Sequence, residues 1–182
     1  MPSLKIPVRS QDHAQGSPDA AVTLVEYGDY QCPYCGEAYP IVKRLQELLG
    51  NHLRFVFRNF PIAELHPNAI GAAVTAEFAA AHGRFWPVHD AIYENQERLG
   101  LPLYEELMSG QGLSPDELRA ALESGAYEER IRNDFQGGVR SGVNGTPSFF
   151  INGQRYDGAA DLRAMADALG EAIAAAGSTR RT

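Results

Sequence analysis

The stretch VTLVEYGDYQCPYC, residues 22–35, contains the turn from a strand into a helix on which the predicted fold depends. The β-branched and apolar residues at 22–27 are typical of a strand that is buried on both faces. The helix that follows has apolar positions three and four residues apart as far as Leu49, and Gly50 supplies its stop. A second run, residues 53–58, predicts another strand, so this region is a βαβ unit with a parallel pair of strands.

The rest of the chain predicts a block of helices followed by a return to strands. Apolar residues recur every three or four positions through about 66–140, and Ser114-Pro115 has the composition of a helix start. Gly137-Gly138 is expected to loosen the chain after the last of these helices. Residues 148–156 predict a hairpin, since their central Asn-Gly favours the φ > 0 conformations of a tight turn. A final amphipathic helix is ended by Gly177.

These patterns divide the chain into four segments. Residues 1–20 are polar and rich in Pro, Gly and Asp, and they are expected to form a loosely docked N-terminal arm. Residues 21–62 hold the βαβ unit, 63–141 an inserted helical subdomain, and 142–177 a ββα unit. The two strand-bearing segments must meet in one sheet, because a two-stranded unit alone is only marginally stable. The predicted class is therefore an α/β fold interrupted by helices.

Charge and composition exclude several classes of partner. With 16 basic and 23 acidic side chains among 182 residues, the net charge is −7. This argues against nucleic acid and anionic membrane surfaces, which both require clustered Lys and Arg, and Arg180-Arg181 is too small a cluster to alter the argument. The chain has no run of about 18 apolar residues, so no membrane insertion is predicted.

The beginning of the chain bears on its location. It has no apolar core of the kind found in signal peptides. The sequence as written therefore predicts a cytoplasmic protein. If a signal had been removed, a periplasmic or other extracytoplasmic location would be expected instead.

Cys32 and Cys35 are the two cysteines of the chain, and they stand at the start of the first predicted helix. Unpaired backbone N–H groups and the positive end of the helix dipole stabilise an anion at this place. Cys32 is therefore predicted to be an exposed, activated nucleophile. Cys35 lies one turn further and is predicted to be the sheltered thiol that resolves a mixed disulfide.

Two other uses of a cysteine pair compete with this redox interpretation. A zinc site would require two further ligands, and no two of the five histidines have the spacing of a zinc finger. A purely structural disulfide would close a loop too short to restrict the unfolded chain strongly. The redox use is favoured, and it requires neither a metal nor a bound cofactor, because the cysteine pair itself carries the redox equivalents.

A second motif, Gly145-Thr146-Pro147, lies far along the chain and precedes the predicted hairpin. By itself, this proline would be expected to be trans. The element EYGDYQCPYC at 26–35 and the element VNGTPSF at 143–149, in this order, resemble the thioredoxin superfamily, and within it the DsbA-like thiol–disulfide oxidoreductases with a helical insertion. The resemblance covers about residues 20–175 and implies a thioredoxin-like fold with an inserted helical subdomain.

The resemblance also implies roles for further residues. It implies that Pro147 is cis and faces Cys32, and that the backbone at Thr146 pairs with an extended substrate peptide. It further implies that Glu26 is a buried acid near Cys35. A carboxyl under an apolar helix has a raised pKa and is able to relay a proton to or from the resolving thiol. A surface position at the end of the strand is the alternative for this glutamate.

Residues around the cysteines receive further predictions. Pro33 and Tyr34 lie between the thiols and are predicted substrate contacts, with Tyr30 as another candidate. Asp29 is predicted to serve in turn or cap chemistry. DsbA has His where this chain has Tyr34, so a less oxidising couple is expected, because a neutral ring lacks the charge that favours a thiolate. The histidines of the helical block are expected at the surface or at helix ends: His66, His82 and His89.

Together these features predict a protein disulfide oxidoreductase. Its expected partners are proteins with thiols or disulfides and an unidentified redox partner, and a monomer is expected because no dimerisation segment is visible. Two alternatives stay open: a glutathione-dependent transferase or isomerase on the same fold, and a non-catalytic module that senses redox state or regulates a membrane transporter. The direction of exchange depends on the potential of the couple relative to its compartment.

Overall fold

A computed structural model describes residues 2–179. One five-stranded sheet runs through it in the order β1-β3-β2-β4-β5. The strands are β1 (His13–Gln15), β2 (Val22–Gly28), β3 (Leu53–Asn59), β4 (Ser148–Ile151) and β5 (Gln154–Tyr156). The described residues also form seven helices: α1 (Pro33–Leu49), α2 (Ala69–Ala81), α3 (Phe85–Glu94), α4 (Leu101–Gly110), α5 (Pro115–Ser124), α6 (Glu128–Arg140) and α7 (Leu162–Thr179).

The sheet joins the two predicted strand-bearing units. β2 and β3 are parallel and are connected through α1, while β4 pairs antiparallel with β2 and forms a hairpin with β5. The hairpin turn is Asn152-Gly153, and both residues have positive φ, as the Asn-Gly pair predicts. The βαβ and ββα prediction is confirmed, and β2 lies at the centre of the sheet, where its end is held on both sides.

The helix after β2 begins and ends where its sequence predicts. Pro33 stands in the first turn, where its missing N–H costs nothing, and Gly50 ends the helix at a φ of 49°. Ala38, Val42 and Leu45 form its buried stripe and belong to the main core. This packing fixes α1 against the sheet, so the start of the helix is held at the end of β2.

The N-terminal segment departs from its prediction. Residues 2–20 do not form a loosely docked arm, because they cross one face of the sheet and pair with both of its edges. Ser3 bridges Gln154 on β5, whereas β1 pairs with β3 at the opposite edge. Leu4 and Val8 pack against the apolar residues of this face. Covering both edges removes unpaired strand groups that would otherwise attract other chains.

A buried arginine holds this segment in place. The five N–H groups of Arg58 donate to the Asp12 carboxylate at 2.8 and 2.9 Å, to the carbonyls of Ile6 and Pro7, and to the Tyr27 hydroxyl. Burial alone would raise the pKa of Asp12, but the hydrogen bonds and charge of Arg58, with the backbone N–H of Arg9 and the charge of Arg130, together outweigh it and lower that pKa. The polar composition of residues 1–20 gave no sign of this anchor, because the partner that satisfies it lies on β3.

The glycine pair near the end of α6 has a different effect from the predicted one. The helix continues through Gly137 and Gly138 to Arg140, so these residues do not loosen the chain. A Cβ at position 138 would lie 2.7 Å from the ring of Phe60 and 3.0 Å from that of Tyr27. The missing side chain therefore allows α6 to approach the aromatic face of the sheet closely.

The helices α2 to α6 occupy the chain between β3 and β4, the region predicted to be inserted. The boundaries 63–141 for a separate helical subdomain stay a prediction. Among residues 2–179 no helix combines the length and the apolar composition needed to cross a bilayer. The Arg180-Arg181 pair lies outside the described residues.

Candidate active site

The two cysteines lie where β2 passes into α1. Cys32 is the residue that precedes the helix, and Cys35 stands in its first turn. Both thiols are free. Cys32 is only 4% exposed, less than predicted, because the loop before β4 lies across it and the Cys32 thiol donates to the Thr146 carbonyl at 3.3 Å. The structure thus brings Cys32 and Thr146, far apart in sequence, into contact.

The loop that covers Cys32 contains the Thr146–Pro147 peptide bond, which is cis in this structure. Ser148 supports the loop by donating from its hydroxyl to the Gly145 carbonyl at 2.8 Å. The Thr146 hydroxyl oxygen is buried and has no hydrogen-bond partner among the described residues. It is therefore a spare polar group beside the sulfur, while the backbone carbonyl of the same residue accepts the thiol proton.

The surroundings of Cys32 favour its thiolate. A hydrogen bond from the Cys35 thiol, which outweighs the opposite effect of burial, lowers the pKa of Cys32 to about 5. The side chain of Thr146 and the backbone N–H groups of Cys35 and Tyr34 lower this pKa further. These backbone groups belong to the first turn of α1, so the helix start acts as predicted. The surroundings therefore favour ionisation of Cys32 relative to an ordinary cysteine.

Cys35 has the opposite character. Its side chain is fully buried, and the backbone N–H of Asp29 lies 3.4 Å from its sulfur. Burial, together with its hydrogen bond to Cys32 and the charge of Glu26, raises the pKa of Cys35 well above its usual value. The two thiols are therefore strongly differentiated: one is ready to attack and the other holds its proton.

Glu26 lies inside the sheet rather than at a surface end of its strand. It pairs in register with Phe57 on β3 and Phe149 on β4, and it is 3% exposed. Burial, with a smaller contribution from the charge of Cys32, raises the pKa of Glu26 to about 8. The charge of Glu26 in turn acts on Cys35. The predicted buried acid and the resolving thiol are thus electrostatically linked.

A small cavity of about 10 Å³ adjoins Glu26, which is room for about one water molecule. Two of the polar groups around it, Oδ1 of Asp90 and the hydroxyl of Tyr93, are buried without a hydrogen-bond partner among the described residues. The Lys43 ammonium, which also borders the cavity, donates to the other oxygen of Asp90 at 2.8 Å. The buried carboxyl and a partly exposed ion pair therefore border the same small cavity.

Two predictions about neighbouring aromatic residues are wrong. Tyr30 is not available to substrate, because it is buried and its hydroxyl lies 2.8 Å from Nδ1 of His89. His89 is not a surface residue either, and burial lowers its pKa well below the usual value, so its ring is neutral. Phe57 and Tyr93 pack against both rings. This cluster supports the active-site turn from the side of α3.

Asp29 serves the turn chemistry predicted for it. Its Oδ1 accepts from the backbone N–H of Gln31 at 2.8 Å, and its Oδ2 accepts from that of Ile62. Oδ2 also lies 2.8 Å from Nδ1 of His66, so this histidine is a partner of the turn rather than a simple surface residue. His82 does stand at the end of α2, as predicted.

Sequence reasoning missed one residue that contacts the turn directly. The side-chain amide of Gln96 donates to the carbonyls of Tyr30 and Cys32 at 2.9 and 2.8 Å. A single glutamine in a polar connection between helices carries no sequence signal of such a contact. On the outer side of the turn, Pro33 is exposed, and Tyr34 is 68% exposed and available for contact with another molecule.

The fold and this site define a class, the thioredoxin-fold proteins with a Cys-x-x-Cys pair. A central strand leads into a helix that begins with two differentiated thiols, and a loop with a cis-proline faces the first thiol. The family model described as thioredoxin matches residues 9–171. The chain belongs to this thioredoxin family.

Solved structures with the same fold include DsbA proteins. Wolbachia pipientis alpha-DsbA1 aligns over 97% of both chains with a TM-score of 0.83 and 18% sequence identity. A thioredoxin-like oxidoreductase from Silicibacter pomeroyi DSS-3 covers 90% of this chain and 93% of its own, with a TM-score of 0.78 and 27% identity. The predicted DsbA-like thioredoxin fold is confirmed.

The curated relatives are longer proteins. The Na(+)/H(+) antiporter NhaA 1 of Salinispora arenicola is 39% identical over 175 residues, which is 94% of this chain and 26% of that relative. This chain spans about a quarter of the length of the curated relatives that it matches.

Among residues 2–179, no group of three or more His, Cys, Asp or Glu side chains is arranged to hold a metal ion.

Proposed function

We propose that the protein exchanges disulfides with protein substrates through Cys32 and Cys35. The observation that carries the proposal is the opposite shift of the two thiols: the pKa of Cys32 is lowered to about 5, while that of Cys35 is raised. The thiolate is the attacking species in disulfide exchange, so only Cys32 is prepared to react first. A cysteine pair that formed only a structural disulfide would not require two thiols with oppositely shifted pKa values.

In the reducing direction, the Cys32 thiolate attacks one sulfur of a substrate disulfide. A mixed disulfide forms and the other substrate sulfur leaves as a thiolate. Cys35 then loses its proton and attacks the Cys32 sulfur, which releases the second substrate sulfur and leaves Cys32 and Cys35 oxidised to a disulfide. The substrate gains two electrons from the cysteine pair. Run in reverse, the same steps transfer the disulfide to a dithiol substrate.

Glu26 is the proposed proton acceptor for Cys35. Both groups are buried and each has a pKa raised by burial, and it is the ionised form of Glu26, a minor fraction at neutral pH, that accepts the proton of Cys35. The cavity beside Glu26 leads to Lys43 and Asp90, and it provides a route by which the proton reaches solvent. This role requires no hydrogen bond between the carboxyl and the sulfur in the resting state.

Thr146 is the proposed point of substrate contact. While Cys32 is protonated, its thiol donates to the Thr146 carbonyl, and ionisation of Cys32 releases that carbonyl for an incoming peptide. Its unpartnered hydroxyl is then free to donate to the sulfur anion. An extended peptide beside Thr146-Pro147 would pair with this backbone in strand fashion. Pro33 and Tyr34, which are exposed next to the sulfur, would contact the same peptide.

Titration of the reduced protein tests the proposal. We expect thiolate absorbance near 240 nm to rise with a midpoint near pH 5 and to report one sulfur, because Cys35 keeps its proton. Equilibration with reduced and oxidised glutathione should interconvert dithiol and disulfide in one two-electron step. A midpoint near pH 9, together with no exchange with glutathione or a model disulfide protein, would contradict the proposed function.

The residue at position 34 is expected to influence the reduction potential of the Cys32–Cys35 couple, because it lies between the two cysteines. We expect Tyr34→His to lower the pKa of Cys32 further, by about half a unit when the imidazole is charged, because a cation beside the sulfur favours its anion. The reduced form gains stability, so the glutathione equilibrium should shift about threefold toward the dithiol near pH 6, where Cys32 is ionised and the imidazole is still largely charged. Tyr34→Phe is the control and should leave both values unchanged. An equal shift in the two variants would rule out a charge effect.

A regulatory module is the second candidate, and the names of the curated relatives favour it. Those relatives are called Na(+)/H(+) antiporters, and the chain resembles about a quarter of their length. In this case the cysteine pair would sense redox state and alter contact with a transporter. Binding that survives Cys32→Ser but depends on whether the wild-type pair is oxidised would favour sensing over catalysis. A monomeric state, a cytoplasmic location and a separate redox partner also stay proposals.

A further inference from the structure

Gln96 lies in the short 3-10 turn Gln96–Arg98 between α3 and α4 and reaches across to the start of α1. Its amide nitrogen donates to the Cys32 carbonyl at 2.8 Å and to the Tyr30 carbonyl at 2.9 Å. Both of its N–H groups are used in this way. One side chain therefore connects the carbonyls on either side of Gln31, at the point where the chain turns from strand to helix.

The start of α1 itself lacks the usual side-chain support. No side chain caps α1, and its first turn contains no acidic residue. The Cys32 carbonyl accepts the first backbone bonds of the helix, from Cys35 and Gly36 at 3.1 Å. The direction of this carbonyl therefore determines where the following N–H groups point. Since Gln96 holds the same carbonyl from outside the helix, it acts on the orientation of those groups.

Gly36, in the first turns of α1, leaves room for the side chain of Gln96. A Cβ at position 36 would lie 2.3 Å from Oε1 of Gln96 and 3.2 Å from its Nε2. Glycine inside a helix costs about 1 kcal/mol relative to alanine. Its presence one turn after Cys32 is explained by the side chain that lies against it. Alanine at this position would push the glutamine away from the two carbonyls, because the end of that side chain is flexible.

We propose that Gln96 is a positioning residue for disulfide exchange, which holds the Cys32 turn so that the backbone N–H groups of Tyr34 and Cys35 face the Cys32 sulfur. This inference rests on the proposed function, in which Cys32 is the nucleophile. We expect the fold to persist without the contact, because other packing holds both of the elements that it joins. Tyr30 remains buried against Phe57 and His89, and α1 remains packed through its apolar stripe.

Replacing Gln96 tests the inference through the sulfur itself. Gln96→Ala and the similarly sized Gln96→Met both remove the amide donors. In each variant we expect the thiolate titration of reduced Cys32 to move up by about half a unit to one unit, the size of a lost hydrogen bond. The glutathione equilibrium should shift up to about tenfold toward the protein disulfide. Gln136→Ala, an exposed glutamine on α6, is the control and should change neither value.

Gly36→Ala provides an independent variant of the same contact. An ordinary helix glycine would become more stable on this change and leave the thiol unaltered. We expect instead the same upward shift of the Cys32 titration as in Gln96→Ala, with no additional shift in the double variant. An unchanged titration in Gln96→Met or in Gly36→Ala, with folded protein by circular dichroism, overturns the positioning role. Failure of wild-type protein to exchange with glutathione would instead contradict the proposed function.

Discussion

Cys32→Ser is expected to reduce disulfide exchange to the uncatalysed rate, whereas Cys35→Ser is expected to leave the first step intact and block the second. Serine at position 32 has no thiolate to attack the substrate sulfur. Serine at position 35 keeps the backbone N–H groups of the turn and offers a hydroxyl in place of the thiol that donates to Cys32, but it removes the group that resolves the mixed disulfide. The two variants should therefore differ in kind, since one is inactive and the other becomes covalently attached to its substrate.

Reaction with a disulfide-containing model protein, quenched in acid and separated without reductant, measures both outcomes. Cys35→Ser should accumulate a species with the summed mass of the two proteins, and Cys32→Ser should not. Thermal unfolding of both variants is the control for folding. Multiple turnovers by Cys35→Ser with glutathione would contradict the two-thiol mechanism and favour the glutathione-dependent alternative, which uses a single nucleophile.

The parts of the site that follow from local sequence were predicted. Cys32 and Cys35 take their places from a buried run followed directly by a helix, and both features are visible within residues 22–35. Glu26 lies in the same strand, so its burial follows once β2 is placed at the centre of the sheet. Its identification as a functional acid came from the resemblance, because a strand glutamate alone is equally consistent with a surface position.

The parts that depend on distant packing were not predicted. His89 is buried and Gln96 reaches the active-site turn because α3 lies against the end of β2, and no periodicity in the sequence reports that contact. The N-terminal segment was misjudged for a similar reason. Its three-residue strand and its polar composition look like a loose arm until Arg58, far along the chain, supplies the donors that satisfy it.

Glu26→Gln is expected to stabilise the protein at alkaline pH and to slow exchange. The pKa of Glu26 is raised from 4.5 to about 8 in the folded protein. The unfolded chain therefore loses this proton at lower pH than the folded protein does, and wild-type stability falls as pH rises from about 4.5 to 8. Glutamine has no such dependence. The variant should match the wild type below pH 4.5 and exceed it by roughly 5 kcal/mol above pH 8.

The rate of disulfide exchange should fall in Glu26→Gln, although the stability of this variant at alkaline pH rises. Without a carboxyl to take the proton of Cys35, release of the mixed disulfide is expected to slow about a hundredfold at pH 7, which is at the low end of what a positioned base contributes. The first attack by Cys32 should stay fast, so mixed disulfide should accumulate transiently, as in a weaker form of Cys35→Ser. Urea unfolding between pH 4 and 9 and rapid-quench kinetics at pH 7 measure the two effects.

Glu123→Gln is the matched control, because Glu123 is an exposed glutamate on α5. This change should alter neither stability nor rate. Stability and rate measured together distinguish a structural carboxyl from a proton acceptor, because replacing the two kinds of group has different effects. If a carboxyl served only folding, its replacement would lower the stability of the protein. Glu26 behaves in the opposite way, because above pH 4.5 its presence lowers the stability of the wild type. A variant that is more stable at pH 8 and slower in the second chemical step identifies a group kept for proton transfer. A variant that is more stable and equally fast would show that Cys35 loses its proton by another route.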